Sequence, residues 1–211
     1  MNSEGIFNSF CFFGVSVGPG NNLPYDIDLV FALSAASNNS AQTYKLMKNT
    51  IKRFIDKYGV GKIQYSIVVY GDQVIRVVNF NHTFPPNANE LKAAIDAQAP
   101  LSGGPVLNDT LQEGFQIFSE TMGRPNAKKV LVVVTDQNSG ADKNSLATSV
   151  RPLEDNGTLV ISVAIGAVNR SELLVISPNP LDVISVDLNA DPSVLTVRIM
   201  DRILRKATFT F

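Results

Sequence analysis

The chain has 211 residues, of which 45% are apolar and 18% are charged, as in an ordinary globular domain. Its 18 basic and 19 acidic residues nearly balance, which argues against the basic surface that nucleic acids or anionic membranes attract. No apolar run reaches about 18 residues, so the sequence predicts no membrane insertion.

The first 24 residues have the composition of a tail or linker. Segment 6–20 is apolar enough to resemble the core of a signal peptide, but it lacks a basic start and follows Glu4. A signal peptide is the alternative interpretation. The single cysteine, Cys11, lies here, which excludes a framework of internal disulfide bonds. We therefore expect a tail at 1–24, one domain at 25–207 and a short tail at 208–211.

The first predicted element is a strand at 26–33, an apolar run typical of parallel strands that are buried on both faces. A helix follows, because apolar residues recur there with a 3.6-residue period, namely Met47, Ile51, Phe54, Ile55 and Tyr58. Segments 62–71 and 73–80 then predict two strands joined by a tight turn around Gly71 and Asp72.

The second half continues with a short helix at 87–98 and a helix whose apolar face is Leu111, Phe115, Phe118 and Met122. A strand at 128–135, a helix at 144–154, a strand at 158–166 and a short helix at 170–176 follow. Pro152 is expected to kink or interrupt its helix. A strand at 181–188 and a helix at 191–206 close the domain, and the apolar face of that helix is expected to comprise Val194, Val197, Met200 and Leu204.

This alternation predicts an α/β fold, a doubly wound and mostly parallel six-stranded sheet with one antiparallel edge strand and helices on both faces. Ligands of such sheets bind beyond the carboxyl ends of the strands. Three loops are expected at that edge: "SAASNNS" after the first strand, "LSGGPVLND" before the Leu111 helix, and "DQNSGAD" after the strand at 128–135.

The runs "DIDLVFALSAASNNS", "LSGGPVLNDTLQEGF" and "VLVVVTDQNSGAD" resemble the von Willebrand factor A, or integrin I-type, domain over about residues 26–206. The resemblance implies a Rossmann-like fold and an adhesion function. It also implies a Mg²⁺ site formed by an Asp-x-Ser-x-Ser run after the first strand, a Thr after a Gly pair and an Asp after the fourth strand. An acidic residue of the partner completes that site, and the family couples it to movement of the last helix.

This chain departs from the metal-binding pattern at four of its five positions. Ser34 stands at the Asp position, and Ala36 and Asn38 stand at the two Ser positions. The Thr position falls on Pro105 or Val106, neither of which has a side-chain oxygen. Only Asp136 matches. Because Mg²⁺ relies on charged oxygen ligands, we expect no tightly held metal and no other cofactor.

Weak Mg²⁺ or Ca²⁺ binding is the alternative, through a remodelled site of Ser34, Asn38, Asp109 and Asp136. For Asp109 a simpler interpretation is a capping box, with Asp109 as N-cap and Gln112 three residues later. For Asp136 it is a carboxylate that accepts hydrogen bonds from loop N–H groups, and for Ser34 and Asn38 it is ordinary loop polarity.

The remaining residues of the expected binding rim are Ser37, Asn39, Pro105, Val106, Asn108, Gln137 and Asn138. Five Asn-x-Ser/Thr sequons are candidate N-glycosylation sites: Asn38, Asn81, Asn108, Asn156 and Asn169. Two of them flank the expected metal position, so glycans there would mask the rim.

The sequence does not predict an enzyme. The only histidine, His82, has no Cys or His partner at metal-binding spacing, and no serine lies in a Gly-x-Ser-x-Gly turn. With the resemblance, this predicts an extracellular, non-enzymatic module of a matrix or cell-adhesion protein. Its expected partner is a matrix or cell-surface protein or a sister domain, and no nucleic acid. A structural spacer or self-assembly unit is a further alternative.

Overall fold

In the computed structural model, which describes residues 23–36, 41–80, 87–120, 124 and 126–205, strands and helices alternate as the sequence predicts. The strands are β1 (Ile27–Ser34), β2 (Ile63–Tyr70), β3 (Val74–Val78), β4 (Lys128–Thr135), β5 (Leu159–Ile165) and β6 (Val183–Val186). The helices are α1 (Ala41–Tyr58), α2 (Ala88–Asp96), α3 (Leu107–Glu120), α4 (Lys143–Asp155), α5 (Arg170–Ile176) and α6 (Pro192–Arg205).

The six strands form one sheet in the order β3-β2-β1-β4-β5-β6. Neighbouring strands are parallel except β2 and β3, which form an antiparallel hairpin. The predicted six-stranded sheet with one antiparallel edge strand is therefore confirmed. Strand order reverses on either side of β1, so β1 and β4 border the topological switch point, where a doubly wound sheet opens a crevice for ligands.

Each face of the sheet is covered by its own group of helices. Alternate residues of β1 divide between the two cores: Phe31 and Leu33 pack on the side of α1, α2 and α6, whereas Val30 and Ala32 pack on the side of α3, α4 and α5. Because both faces are buried, the strands read as continuous apolar runs rather than alternating ones.

The predicted apolar face of the last helix is wrong in part. In α6 the buried side chains are Leu195, Thr196, Ile199, Met200 and Ile203. Val194 and Val197 are instead 56% and 37% exposed. Two interlocking 3.6-residue series run along this helix, and the series that includes Thr196 is the one that faces α1. The Thr196 hydroxyl lies 2.8 Å from the carbonyl oxygen of Pro192 in its own helix and 3.2 Å from that of Thr50 in α1.

Two other features of the secondary structure differ from the prediction. Helix α4 continues through Pro152 without interruption. Proline has no N–H to donate to the carbonyl oxygen of Thr148, four residues earlier, and Thr148 is an exposed residue. Strand β6 is shorter than expected because Pro180–Asp182 forms a 3-10 turn, capped by the side chain of Asn179.

Candidate functional site

The β1 and β4 loops leave the sheet side by side at the switch point. Leu33 of β1 is in register with Val134 of β4, so the residues that follow each strand emerge next to one another. Ser34 is the last residue of β1 and is fully buried, whereas Asp136 is the first residue after β4 and is half-buried. The interpretation of Ser34 as ordinary loop polarity is therefore wrong, because the side chain lies inside the sheet and makes polar contact there.

Asp136 has an unusual environment for a carboxylate. Its Oδ1 atom is buried and has no hydrogen-bond partner among the residues that the structure describes. Burial raises the pKa of Asp136 to about 6, although a hydrogen bond with backbone N–H partly opposes the rise. A backbone N–H therefore donates to this carboxylate as expected, but its Oδ1 atom has no donor among the described residues.

A buried tyrosine supports the floor of this crevice. The Tyr70 hydroxyl, at the end of β2, donates to the carbonyl oxygen of Val134 at 3.1 Å. Burial raises the pKa of the Tyr70 phenol well above its ordinary value, and a hydrogen bond with the Thr135 side chain opposes that rise. The nearby carboxylates of Asp136 and Glu172 raise it further. Tyr70 is therefore a neutral hydrogen-bond donor that ties β2 to β4 across the buried β1.

Glu172 links the crevice to α5. This buried carboxylate accepts a hydrogen bond from the backbone N–H of Ser139 at 2.9 Å. In the same loop the Oδ1 atom of Asn138 accepts from the N–H of Asn169 at 2.7 Å. Tyr70 and Glu172 are not among the site residues that the sequence predicts. The available signals were a tyrosine that ends an apolar strand and an acidic residue in the first turn of a predicted helix.

The loop before α3 packs against the turn between β2 and β3 through Gly71. The N–H of Val106 donates to the carbonyl oxygen of Gly71 at 2.9 Å, and the N–H of Leu101 donates to that of Ala35 at 2.6 Å. A Cβ atom on Gly71 would lie 2.8 Å from both Leu101 Cβ and the carbonyl oxygen of Ser102. Glycine is thus required for the three segments to meet.

The rim residues of α3 lie in the helix rather than before it. Because α3 starts at Leu107, Asp109 is in its first turn, so the interpretation of Asp109 as N-cap of a capping box is wrong. Asp109 is exposed, where it complements the helix dipole. Both polar atoms of the Asn108 side chain form hydrogen bonds with α4. Its Nδ2 donates to Ser145 Oγ at 2.8 Å, and its Oδ1 accepts from Ser149 Oγ at 3.4 Å.

The other predicted rim residues are divided between exposed and packed positions. Pro105 is buried and Val106 is half-buried, whereas Asn138 is exposed and Gln137 is half-buried. Ser37, Asn38 and Asn39 lie outside the described residues.

The donor set provides a poor fit to a tightly bound divalent cation. Within the described ranges no three His, Cys, Asp or Glu side chains converge on one point. Ser34 and Asp136 would contribute one hydroxyl and one carboxylate, and Ala36 contributes no side-chain ligand. Among these side chains of the described residues, the unpartnered Oδ1 of Asp136 is the one atom that suits a cation, so weak binding is the most that they support.

The sequon asparagines that the structure describes differ in the hydrogen bonds of their side-chain amides. Asn156 accepts from Lys129 Nζ at 2.9 Å, and Asn169 caps α5 by accepting from the N–H of Ser171 at 3.0 Å, so both use their oxygen. Asn108 also uses its nitrogen, as described above. Asn38 and Asn81 lie outside the described residues.

Residues 28–193 match the family model for the von Willebrand factor type A domain. The chain is 28% identical to the Mus musculus collagen alpha-6(VI) chain, over 70% of this chain and 7% of that protein. It is 29% identical to Mus musculus integrin alpha-2, over 64% of this chain and 12% of that protein. It thus spans a small fraction of the curated relatives that it matches.

Solved structures show the same fold. Proximal thread matrix protein 1 from the mussel byssus superposes with a TM-score of 0.74 at 22% identity, covering 84% of this chain and 47% of that one. The manganese-loaded TRAP protein of Plasmodium vivax superposes with a TM-score of 0.67 at 13% identity, covering 82% and 73%. At these identities the likeness concerns the fold alone. Among the described helices, none is long and apolar enough to cross a membrane.

Proposed function

The chain belongs to the von Willebrand factor type A domain family, and on that premise we propose that it is a non-enzymatic protein-binding module of an extracellular matrix or cell-adhesion protein. Its homology to domains of collagen VI and integrin alpha-2 supports this setting. The partner is a matrix or cell-surface protein or a sister domain, and the module is extracellular.

We propose further that it binds this partner without a tightly held metal. The observation that carries this proposal is the position of Ser34, which is fully buried in β1 where the family's pattern has a carboxylate. A buried hydroxyl supplies no charge to compensate a divalent ion. Ala36, two residues further along the chain, has no side-chain oxygen and therefore offers no ligand either. Its backbone packs against Gly71, because its Cα would lie 3.6 Å from a Cβ atom on that glycine.

The rim loops themselves support the binding function. Backbone hydrogen bonds hold the Leu101–Val106 loop to Ala35 and Gly71, and Glu172 holds the β4–α4 loop. Loops fixed in this way lose little conformational entropy when a partner binds, which favours recognition by a preformed surface.

The first test measures binding to cell-free extracellular matrix deposited by cultured fibroblasts, with and without EDTA. We expect binding that EDTA does not reduce and that Gln137→Arg reduces, because a bulky charged side chain at the rim would obstruct the partner. The matched control is Gln116→Arg, on the exposed surface of α3 within its regular helix. Binding that Gln116→Arg reduces as strongly would contradict a rim-centred surface.

Cation-dependent adhesion is the second candidate, because the buried Oδ1 of Asp136 has no partner in the described part of the chain. Thermal unfolding in a titration of Mg²⁺, Mn²⁺ or Ca²⁺ separates the two candidates. Our proposal predicts no saturable rise in the melting temperature. A saturable rise that Asp136→Ala abolishes would replace it with the cation-dependent function.

A structural spacer or self-assembly unit is the remaining alternative. Light scattering over a range of protein concentrations tests it. A concentration-dependent increase in mass, together with no binding to matrix, would favour the structural role over the binding module.

A further inference from the structure

A groove with a volume of about 350 Å³ lies between α1 and α2, separate from the Asp136 crevice. Six side chains define its character: Tyr44, Lys45, Lys48, Lys52, Asp96 and Pro100. Three of them are lysines and one is acidic, so the lining is basic although the chain as a whole has a formal net charge of −1. We call this feature the lysine groove.

The three lysines follow one face of α1. Lys45, Lys48 and Lys52 are three and then four residues apart, the spacing of neighbours on a helix surface. At about 1.5 Å rise per residue, the row extends for roughly 10 Å along the helix. The groove therefore presents a linear series of ammonium groups rather than one isolated charge.

Contacts with the end of α2 hold two of the ammonium groups in position. Lys48 Nζ donates to the carbonyl oxygens of Asp96 and Gln98, each at 3.0 Å, and lies 5.2 Å from the centre of the Tyr44 ring. Lys52 Nζ donates to Asp96 Oδ1 at 2.7 Å. Ordering these long side chains in advance removes part of the entropy cost of binding an anion.

The ammonium groups retain unused donors. Each has three N–H donors, so after its contacts with the described residues Lys48 keeps one and Lys52 keeps two. Lys45 is exposed, and its ammonium group makes no ion pair or hydrogen bond with the residues that the structure describes. Among the described residues that line the groove, Asp96 is the only acid, and its carboxylate is paired with Lys52.

From this arrangement we propose that the lysine groove binds a sulfated polysaccharide. Sulfates carry a permanent charge and recur along such a chain, which matches a row of ammonium groups on one helix face. A lysine acts as a compact point charge and does not require the planar oxygen pair that arginine matches. Pro100, which is exposed, adds apolar surface for the sugar ring. The choice of a polysaccharide over an acidic peptide rests on the proposed extracellular function. The inference that the groove binds an anion does not depend on that function.

The test measures the affinity of the intact chain for an immobilised heparin oligosaccharide by biolayer interferometry. We expect Lys45→Glu to weaken binding about tenfold, since it replaces an attraction with a repulsion near the sulfates. Asp96→Asn should have the opposite effect, about a threefold gain, because it removes the one acidic group and releases Lys52. The matched controls are Lys143→Glu and Asp155→Asn, which make the same charge changes on α4, on the other face of the sheet.

Each outcome decides the proposal. Opposite effects at Lys45 and Asp96 with unchanged controls support it, and thermal unfolding of each variant establishes that it is folded. Equal losses for Lys45→Glu and Lys143→Glu would show diffuse attraction to the whole surface and overturn it. Absence of heparin binding overturns it as well. Binding of polyglutamate in place of heparin, lost in Lys45→Glu, would assign the groove to an acidic peptide.

This test is independent of the rim. If Gln137→Arg abolishes matrix binding while heparin affinity is unchanged, both proposals stand. If heparin binds through the groove but matrix does not bind at the rim, the proposed function fails and the lysine groove remains.

Discussion

Gly71 is the residue on which the geometry of the rim depends most directly. Replacement by alanine would force its Cβ against Leu101 Cβ and the carbonyl oxygen of Ser102, each at 2.8 Å. Since one of these atoms belongs to the backbone, relief requires the whole loop to move. We expect Gly71→Ala to lower the free energy of unfolding by about 2 kcal/mol.

Urea denaturation measures this change, with Gly61→Ala as the control. Gly61 also lies next to β2, but a Cβ there meets no atom within 4 Å. An equal loss in both variants would show that glycine is not specifically required at the turn.

Asp136 predicts a pH dependence of stability at the same scale. Because the pKa in the fold is raised from 3.8 to about 6, the folded chain favours the protonated carboxyl. The stabilisation is complete below pH 3.8 and is lost as the pH rises through 6. Asp136→Asn keeps a neutral side chain, so at neutral pH we expect it to raise the free energy of unfolding by about 1 kcal/mol, a figure reduced for the partial exposure of the group.

Urea denaturation across this pH range, in buffers freed of divalent cations, tests the prediction. Asp155→Asn, on the exposed surface of α4, is the control. A variant whose pH profile between 3.8 and 6 parallels that of the parent would contradict the assignment of the profile to Asp136.

The sequence predicted the exposed chemistry of the rim better than its buried support. Asp136 follows an unmistakable strand, so its place at the crevice could be inferred from the pattern alone. Tyr70 and Glu172 are far apart in the sequence and become neighbours only through the order of the strands and the position of α5. Side-chain partners at such separations are set by tertiary packing, which period and propensity do not encode.

At the scale of elements, the ion pair at the amino ends of the strands joins three segments. Arg124 lies before β4 and donates to the carboxylate of Asp28 in β1 at 2.7 and 3.0 Å. It also donates to the carbonyl oxygens of Ile27 at 2.6 Å and Lys62 at 3.3 Å. Asp28 is 2% exposed, and among the described residues its carboxylate pairs with the Arg124 guanidinium.

We expect Arg124→Gln to lower the free energy of unfolding by about 3 kcal/mol, because it leaves a buried carboxylate without its partner. Chemical denaturation measures it. The control is Arg151→Gln, whose pair with Asp155 has a separation of 3.9 Å and side chains that are 79% and 74% exposed. That variant should change stability by less than about 0.5 kcal/mol. Equal effects would argue against a buried ion pair.

The helices show where sequence patterns stop being decisive. The face of α1 follows from one clear apolar series, and all five of its predicted residues are buried. In α6 two series compete, and only packing against α1 selects between them. A hydrophobic period identifies a helix, but it fixes the buried face only when one series dominates.

At the scale of the molecule, hydrogen bonds hold the last helix at its middle and near its carboxyl end. Arg198 Nη1 donates to the carbonyl oxygen of Ser185 at 3.1 Å, and Ile203 accepts from Tyr25 Oη at 3.0 Å and from Lys128 Nζ at 2.6 Å. Under the proposed function no tightly held metal drives a rearrangement, and on that basis we expect one conformation of α6. Backbone amide NMR spectra should show one set of signals for residues 193–205 of α6, with or without excess Mg²⁺. Doubled signals would contradict this expectation.

The contact of Tyr25 with Ile203 also determines how the domain would respond to tension. It brings the start and the end of the described fold together beside the amino ends of the strands, at the pole opposite the rim. A force applied between these two ends would load the Tyr25 and Lys128 contacts first and would peel α6 from the sheet before the six strands are sheared. The rim would stay assembled through the early part of such an extension, so a partner held there could remain attached while the domain lengthens at its opposite pole.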